Sequence, residues 1–184
     1  MFAFESTHKK TDSLAARSEE LLQLVSFNVA EEEYALPILK VQEIIRMQSL
    51  TRVPNSPPFV EGVINLRGKV IPVVGLRKRF GLGAQTHGRQ TRVVVAEVTG
   101  AIIGFVVDSV SEVLRISPAA IEQAPRLGNS NQEFVAGVVK LEGRLLILLD
   151  VERVMTDSET VELLTQEPPP NFSERDGSLA ASRR

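Results

Sequence analysis

A segment of 22 residues is present twice in this chain, and this repeat limits the possible folds more than any other feature of the sequence. Residues 59–80 align with residues 134–155 at a constant offset of 75 positions and without a gap. Six aligned positions are identical: Phe59/Phe134, Val60/Val135, Gly62/Gly137, Val63/Val138, Leu66/Leu141 and Gly68/Gly143. Such a repeat predicts two similar structural modules, and it directs attention to the positions at which the copies differ.

A second, shorter similarity extends the repeat towards the start of the chain. Residues 41–45 (VQEII) correspond to residues 110–114 (VSEVL) at an offset of 69 positions. The second module therefore carries about six more residues between its two similar stretches, most simply within residues 118–132. The second half of the chain therefore repeats the order of elements of the first.

Short apolar stretches separated by turn sequences predict β-hairpins around Arg67-Gly68, Thr99-Gly100 and Glu142-Gly143. Strands this short and closely spaced are typical of small antiparallel barrels or of a sandwich. Because a module of roughly 65–70 residues buries only a marginal core by itself, two barrels are expected to share an apolar seam. Residues 70–74 and 145–149 are candidates for that seam, since they lack the polar alternation of a half-exposed strand.

The two ends of the chain differ in composition from the core. Residues 1–18 are polar and of mixed charge, which predicts a flexible tail. Residues 167–184 are rich in Pro, Ser and Arg and bury too little apolar surface to offset ordering entropy, so they are predicted to be disordered. Between them and the core, Thr156 followed by Glu159 forms a capping-box sequence that predicts a short helix over residues 157–166.

The composition excludes several classes of function. A net charge of −2 with 24% charged residues does not suit a protein that binds nucleic acid or an anionic membrane. The absence of cysteine removes disulfides and thiolate catalysis. No apolar run approaches the roughly 20 residues needed to span a bilayer, so we expect a soluble, cytoplasmic protein.

The sequence contains no recognisable catalytic, nucleotide-binding or metal-binding motif. The histidines, His8 and His87, have no potential ligands at metal-binding spacing. Asp108 and Asp150 lie near strand ends, where turn or capping roles are more common than acid–base catalysis. We therefore predict no enzyme activity and no cofactor. A small-molecule sensor or enzyme using the cleft between the barrels is retained as a distant alternative.

Polar residues within apolar stretches are the remaining candidates for function. Arg67 at the first hairpin turn is replaced by Glu142 in the second copy, so the charge is inverted there. Glu43 recurs as Glu112. Each could be a solvated surface residue or a partner contact. The same two interpretations apply to the basic cluster at residues 77–79.

Three stretches together resemble the CheW family, the coupling proteins of bacterial chemosensory arrays. They are residues 34–44 (YALPILKVQEI), residues 64–68 (INLRG) followed by 70–74 (VIPVV), and residues 104–114 (GFVVDSVSEVL). The resemblance covers about residues 21–156, nearly the whole core. It implies a CheW-like domain over residues 19–156, with barrel modules interleaved across about residues 19–90 and 91–156.

The resemblance implies a mainly β fold of two packed five-stranded SH3-like β-barrels with a few short helices. It also implies a non-enzymatic adaptor without a cofactor. The partners would be the cytoplasmic tip of a chemoreceptor (methyl-accepting chemotaxis protein) and the regulatory domain of a CheA-type histidine kinase. The protein would then be recruited to the inner face of the membrane through receptor arrays. The alternative from the same fold is a regulatory or decoy module in a pilus, surface-sensing or developmental pathway.

The resemblance also implies two sets of binding residues. The receptor-binding groove would lie between the barrels and carry six of them: Val41, Glu43, Gly62, Arg67, Gly104 and Val113. The kinase-binding surface is assigned only loosely to the first barrel, and its candidates are Met47, Leu50 and Val53.

Overall fold

The computed structural model describes residues 20–84, 86–124, 133–156 and 158–160. Both predicted tails lie outside the described residues, as does most of the predicted helix at 157–166, of which only residues 158–160 are described and are helical. The described chain is mainly β, with eleven strands in two sheets and a few short helical turns. No helix within the described residues is long and apolar enough to cross a membrane.

One sheet is built from strands near both ends of the chain, and we call it the terminal barrel. Its strands are β1 (Leu22–Val29), β2 (Glu32–Pro37), β8 (Ser109–Ile116), β9 (Ile121–Glu122), β10 (Val135–Leu141) and β11 (Arg144–Leu149). Their order in the sheet is β8-β1-β2-β11-β10-β9. A helical turn, α2 (Val151–Val154), follows the last strand.

The other sheet uses the middle of the chain, and we call it the central barrel. Its strands are β3 (Val41–Arg46), β4 (Val60–Leu66), β5 (Lys69–Gly75), β6 (Arg92–Val98) and β7 (Ala101–Val107). Their order is β3-β6-β7-β5-β4, and α1 (Leu76–Arg79) follows β5. The 3₁₀ turn Ile38–Lys40 connects β2 to β3 and so leads the chain from one barrel into the other.

The two halves of the chain exchange hairpins. The β1–β2 hairpin, from the first half, pairs with β8 and β11 of the second half. The β6–β7 hairpin, from the second half, pairs with β3 and β5 of the first half. Each barrel therefore needs strands from both halves, and neither half contains a complete sheet.

The two copies of the repeat adopt the same structure, a hairpin followed by a helical turn. Each hairpin has a register shift at the same place, around Gly62 in β4 and around Gly137 in β10. A Cβ atom at Gly62 would lie 2.4 Å from the carbonyl oxygen of Thr51, and one at Gly137 would lie 2.9 Å from that of Glu122. The identical glycines thus allow a crossing segment of backbone to approach each hairpin closely.

The largest apolar cluster lies between the barrels, as the shared seam requires. It includes Phe27 and Leu36 of the terminal barrel together with Ile103 and Phe105 of the central barrel, all almost fully buried. Two smaller clusters fill the individual barrels. The mainly β fold with two packed SH3-like barrels is therefore confirmed. The terminal barrel has six strands where five were predicted, because the two-residue strand β9 pairs with β10.

The strands proposed for the seam are only partly buried. Val74 and Leu149, at the ends of β5 and β11, belong to the shared cluster, whereas Val70 and Leu145 are exposed. The expectation that these strands are buried along their whole length was wrong. Val70 and Leu145 lie beside hairpin turns, and residues near a turn project beyond the area that the other barrel covers.

Candidate functional site

An exposed ion pair joins β3 to the tip of the β4–β5 hairpin. Arg67 Nη2 lies 3.2 Å from Glu43 Oε2. Arg67 has a φ of 54° and Gly68 a φ of 82°, which is typical of the primed turns that suit hairpins. The Gly68 N–H donates to Asn65 Oδ1 at 2.9 Å and holds the turn. The turn and the ion pair together fix where the Arg67 side chain lies.

The two members of this ion pair differ in exposure. The Arg67 side chain is 81% exposed, whereas the Glu43 side chain is 26% exposed. Exposed ion pairs contribute only about 0–1 kcal/mol to stability, so this pair is not needed to hold the fold together. Glu43 instead orients a cationic group that remains accessible to another molecule.

Apolar side chains of β3 lie on the opposite face of the strand from Glu43. Glu43 is paired with Val95, which belongs to the cluster inside the central barrel. Val41 is half-buried and packs against the apolar cluster between the barrels, and Ile44 is exposed. The strand has a register shift between Val41 and Glu43 where it pairs with β6. β3 therefore carries the ion-paired Glu43 on one face and the aliphatic groups of Val41 and Ile44 on the other.

The structure separates the six predicted receptor-binding residues. Glu43 and Arg67 are in contact, and Val41 is on the same strand as Glu43. Val113 is 53% exposed but belongs to β8, an edge strand of the terminal barrel.

The remaining two, Gly62 and Gly104, are buried in the central barrel. A Cβ atom at Gly104 would lie 2.7 Å from Cγ1 of Val93. Any effect of these glycines on binding would therefore be exerted through the shape of the barrel.

The predicted kinase-binding residues are only partly accessible. Met47 and Leu50 are partly buried and pack against the apolar cluster inside the central barrel. Val53 is also partly exposed, and its carbonyl oxygen accepts a hydrogen bond from Ser56 Oγ at 2.9 Å. Their assignment to a kinase surface stays a prediction.

The second copy contains an ion pair that sequence analysis missed. Glu112 pairs with Arg144, two positions after the glutamate that replaces Arg67, and Arg144 Nη1 also lies 3.2 Å from Glu33 Oε2. The hydrogen bond to Glu112 is the main cause of a raised pKa at Arg144. The recurrence of Glu43 as Glu112 was a signal for this pair. Arg144 aligns with a lysine, so nothing local identified it as the partner.

The basic cluster of α1 is neither a solvated face nor a free surface for a partner. Each of its side chains is partly or largely buried and has a carboxylate partner within the chain. The three ion pairs are Arg77–Asp108, Lys78–Glu61 and Arg79–Glu159. The interpretation as a solvated face was wrong because α1 lies against the seam, where unpaired cations would be costly.

Glu159 also closes the predicted capping box. The Thr156 N–H donates to Glu159 Oε2 at 2.9 Å, and the Glu159 N–H donates to Thr156 Oγ1 at 3.3 Å. Burial raises the pKa of the Glu159 carboxyl, but hydrogen bonds from Thr156 and the Arg79 guanidinium outweigh burial. The net result is a pKa below its usual value.

We expect the contribution of Glu159 to stability to disappear at acid pH. Because the folded pKa is depressed, this contribution is complete above the ordinary value of 4.5 and is lost as the pH falls through the folded pKa. Urea unfolding of the wild-type chain and of Glu159→Gln would measure this from neutral pH downwards. The difference in free energy of unfolding should shrink below pH 4.5; a constant difference would contradict the assignment.

The described residues show no arrangement that favours small-molecule chemistry. Among them, no group of three or more His, Asp or Glu side chains could hold a metal ion. An open depression of about 600 Å³ lies beside the loop before β6, but its charged wall includes the already paired Arg77 and Asp108. In this part of the chain no buried side-chain polar atom lacks a hydrogen-bond partner.

The fold and the exposed ion pair define a class of protein: two interlocked SH3-like barrels that carry charged and aliphatic groups on strand and hairpin surfaces. The model of the CheW-like domain matches residues 23–159. The chain therefore belongs to the CheW-like family, whose members are non-enzymatic scaffold or adaptor proteins of chemotaxis. The resemblance seen in the sequence is confirmed.

Individual relatives agree with this assignment. The chain is 39% identical to the chemotaxis protein CheW of Helicobacter pylori over 138 residues, which are 75% of this chain and 84% of that protein. It is 34% identical to the Bacillus subtilis chemotaxis protein CheW, over 72% of this chain and 86% of that protein. The scaffolding protein TtCheW of Thermoanaerobacter tengcongensis has a similar structure, with a TM-score of 0.69 and 37% identity. That similarity covers 73% of this chain and 92% of TtCheW.

Proposed function

We propose that this protein couples the cytoplasmic tip of a methyl-accepting chemotaxis receptor to the regulatory domain of a CheA-type histidine kinase. Through these partners it would be recruited from the cytoplasm to the inner face of the membrane. Family membership supports the adaptor role. The observation that carries the proposal is the exposed side chain of Arg67. Glu43 holds this side chain in place, although the ion pair contributes little to the stability of the fold.

The surface around Arg67 suits a helical partner. A receptor tip built from helices would present an apolar stripe, which can pack on Val41 and Ile44, on the face of β3 opposite Glu43. Arg67, at the exposed hairpin tip, would meet an acidic group at the rim of that contact and so set the register of the partner. Val113 would extend the contact onto the terminal barrel.

Small contacts of this kind are typically weak when measured one at a time. Assembly of many receptors and kinases in one array would raise the overall affinity through multivalency. Gly62 and Gly104 would support the site indirectly, because they shape the barrel that carries β3.

We expect Arg67→Glu to weaken binding to a receptor-tip fragment by about tenfold or more, or roughly 1.4 kcal/mol. The substitution inverts the charge offered to the partner and places two carboxylates next to each other. Calorimetric titration would measure the affinity. Thermal unfolding should stay close to wild type, because the Arg67 side chain is largely exposed.

The matched control is Glu142→Arg, which inverts the charge at the equivalent turn of the other barrel. It should leave receptor binding unchanged. Normal binding by Arg67→Glu would remove Arg67 from the site, and unfolding of that variant would show a structural role instead. A wild-type chain that binds neither the receptor fragment nor the kinase regulatory domain would refute the proposed function.

A further inference from the structure

Arg79 lies between the two copies of the repeat. Its guanidinium carbon is 4.4 Å from the centre of the Phe59 ring and 5.2 Å from the centre of the Phe134 ring. These phenylalanines are the first residues of the two copies, one preceding β4 of the central barrel and the other preceding β10 of the terminal barrel. A guanidinium over aromatic rings is an attractive contact, so Arg79 binds to both barrels at once.

A hydrogen bond joins Arg79 to the equivalent position of the other copy. Arg79 Nε donates to the carbonyl oxygen of Val154 at 2.7 Å. In the repeat alignment Val154 occupies the position equivalent to Arg79. One copy thus has a buried valine at this position and the other has a cation.

The charge of Arg79 is neutralised by a carboxylate from beyond the second copy. Arg79 Nη1 and Nη2 donate to Glu159 Oε1 and Oε2, each at 3.0 Å. The two side chains are only 15% and 23% exposed. A bidentate ion pair of this kind is directional, whereas apolar packing is not. The Arg79–Glu159 pair can therefore specify the angle between the barrels.

We propose that Arg79 is a positioning residue for partner binding: it fixes the orientation of the terminal barrel relative to the central barrel. This inference rests on the proposed function, in which Glu43 and Arg67 act on the central barrel and Val113 acts on the terminal barrel. A partner that contacts both barrels binds tightly only when their relative orientation is correct. Arg79 has its own carboxylate partner, Glu159, and is not a member of the ion pair at the site.

The test uses the full-length chain, which has no cysteine, so that spin labels can be placed on Glu97→Cys in β6 and Arg115→Cys in β8. In Arg79→Met, the distribution of distances between the labels should shift or broaden. The affinity of the unlabelled variant for the receptor-tip fragment should fall by about fivefold or more at a temperature where it is fully folded. Arg79→Lys should restore part of both properties.

The control is Lys78→Met, which breaks an ion pair on the same helical turn. Its partner Glu61 lies on β4, so this pair does not connect the barrels. The distances and the affinity should stay at their wild-type values. If Arg79→Met fails to fold, Arg79→Lys and Glu159→Gln provide the same comparison.

Unchanged label distances or unchanged affinity in a folded Arg79 variant would overturn the inference, even if its melting temperature falls. That result would leave the proposed function intact as long as the wild-type chain binds the fragment. A wild-type chain that does not bind would refute the proposed function and the binding role of Arg79 together. Changed label distances would then show only that Arg79 orients the barrels.

Discussion

Gly62→Ala should lower the free energy of unfolding by about 3 kcal/mol, a large part of the stability of a domain of this size. The added Cβ would lie 2.4 Å from the carbonyl oxygen of Thr51, a backbone atom that cannot rotate away. Gly62 also has a φ of 146°, which side chains rarely allow. Thr51 and Val63 exchange two backbone hydrogen bonds of 2.8 and 3.0 Å beside it, and the clash would break them. Urea unfolding would measure the change.

Gly68→Ala separates the clash from backbone strain. Gly68 also has a positive φ, but nothing lies within 4 Å of the position that its Cβ would occupy. This variant should lose only about 1 kcal/mol. Equal losses for the two variants would show that the segment around Thr51 moves aside easily. A large loss at Gly62 alone would mean that binding defects of Gly62 variants reflect a damaged barrel, since the residue is buried.

Separating the chain into residues 1–83 and 84–184 should leave both pieces without a native fold. The first piece keeps β3 and β5 but loses the β6–β7 hairpin that lies between them. The second piece keeps β8 and β11 but loses the β1–β2 hairpin between those strands. Each piece would expose unpaired strand edges and half of the apolar seam. Mixed in equal amounts, the pieces should give the amide NMR spectrum of the intact protein.

The control keeps the cut but changes its timing. A protease site inserted between Gly83 and Ala84, cleaved after folding, should leave the two pieces associated and the spectrum unchanged. A native-like, monomeric spectrum from either piece alone would show that the exchanged hairpins are not required for folding.

Local features were predictable where a few neighbouring residues determine the outcome. The Arg67-Gly68 turn follows from the conformational freedom of glycine at a hairpin. The capping box of Thr156 and Glu159 follows from the hydrogen-bonding needs of a helix start. Both are in the structure as predicted.

Charged residues were harder to interpret. The cations of α1 were interpreted as a solvated face or a partner contact, because a short basic stretch gives no sign of distant carboxylates. Arg144 as the partner of Glu112 was missed for the same reason. An ion pair forms only where the fold brings two distant segments together. The spacing of charges along the chain does not predict which segments those are. Glu43 was identified as a candidate, but its contact with Arg67 became visible only in the structure.

The amino-acid order alone was enough to establish that two related β modules exist, where their hairpins turn and which family they resemble. These properties depend on residues close together in the chain and on a visible internal repeat. Only the tertiary structure decided which hairpins the halves exchange and that Arg79 contacts both barrels. Strand pairing and buried ion pairs depend on the shape and charge of residues that are far apart in the chain. Such contacts produce no local sequence pattern from which they could be predicted.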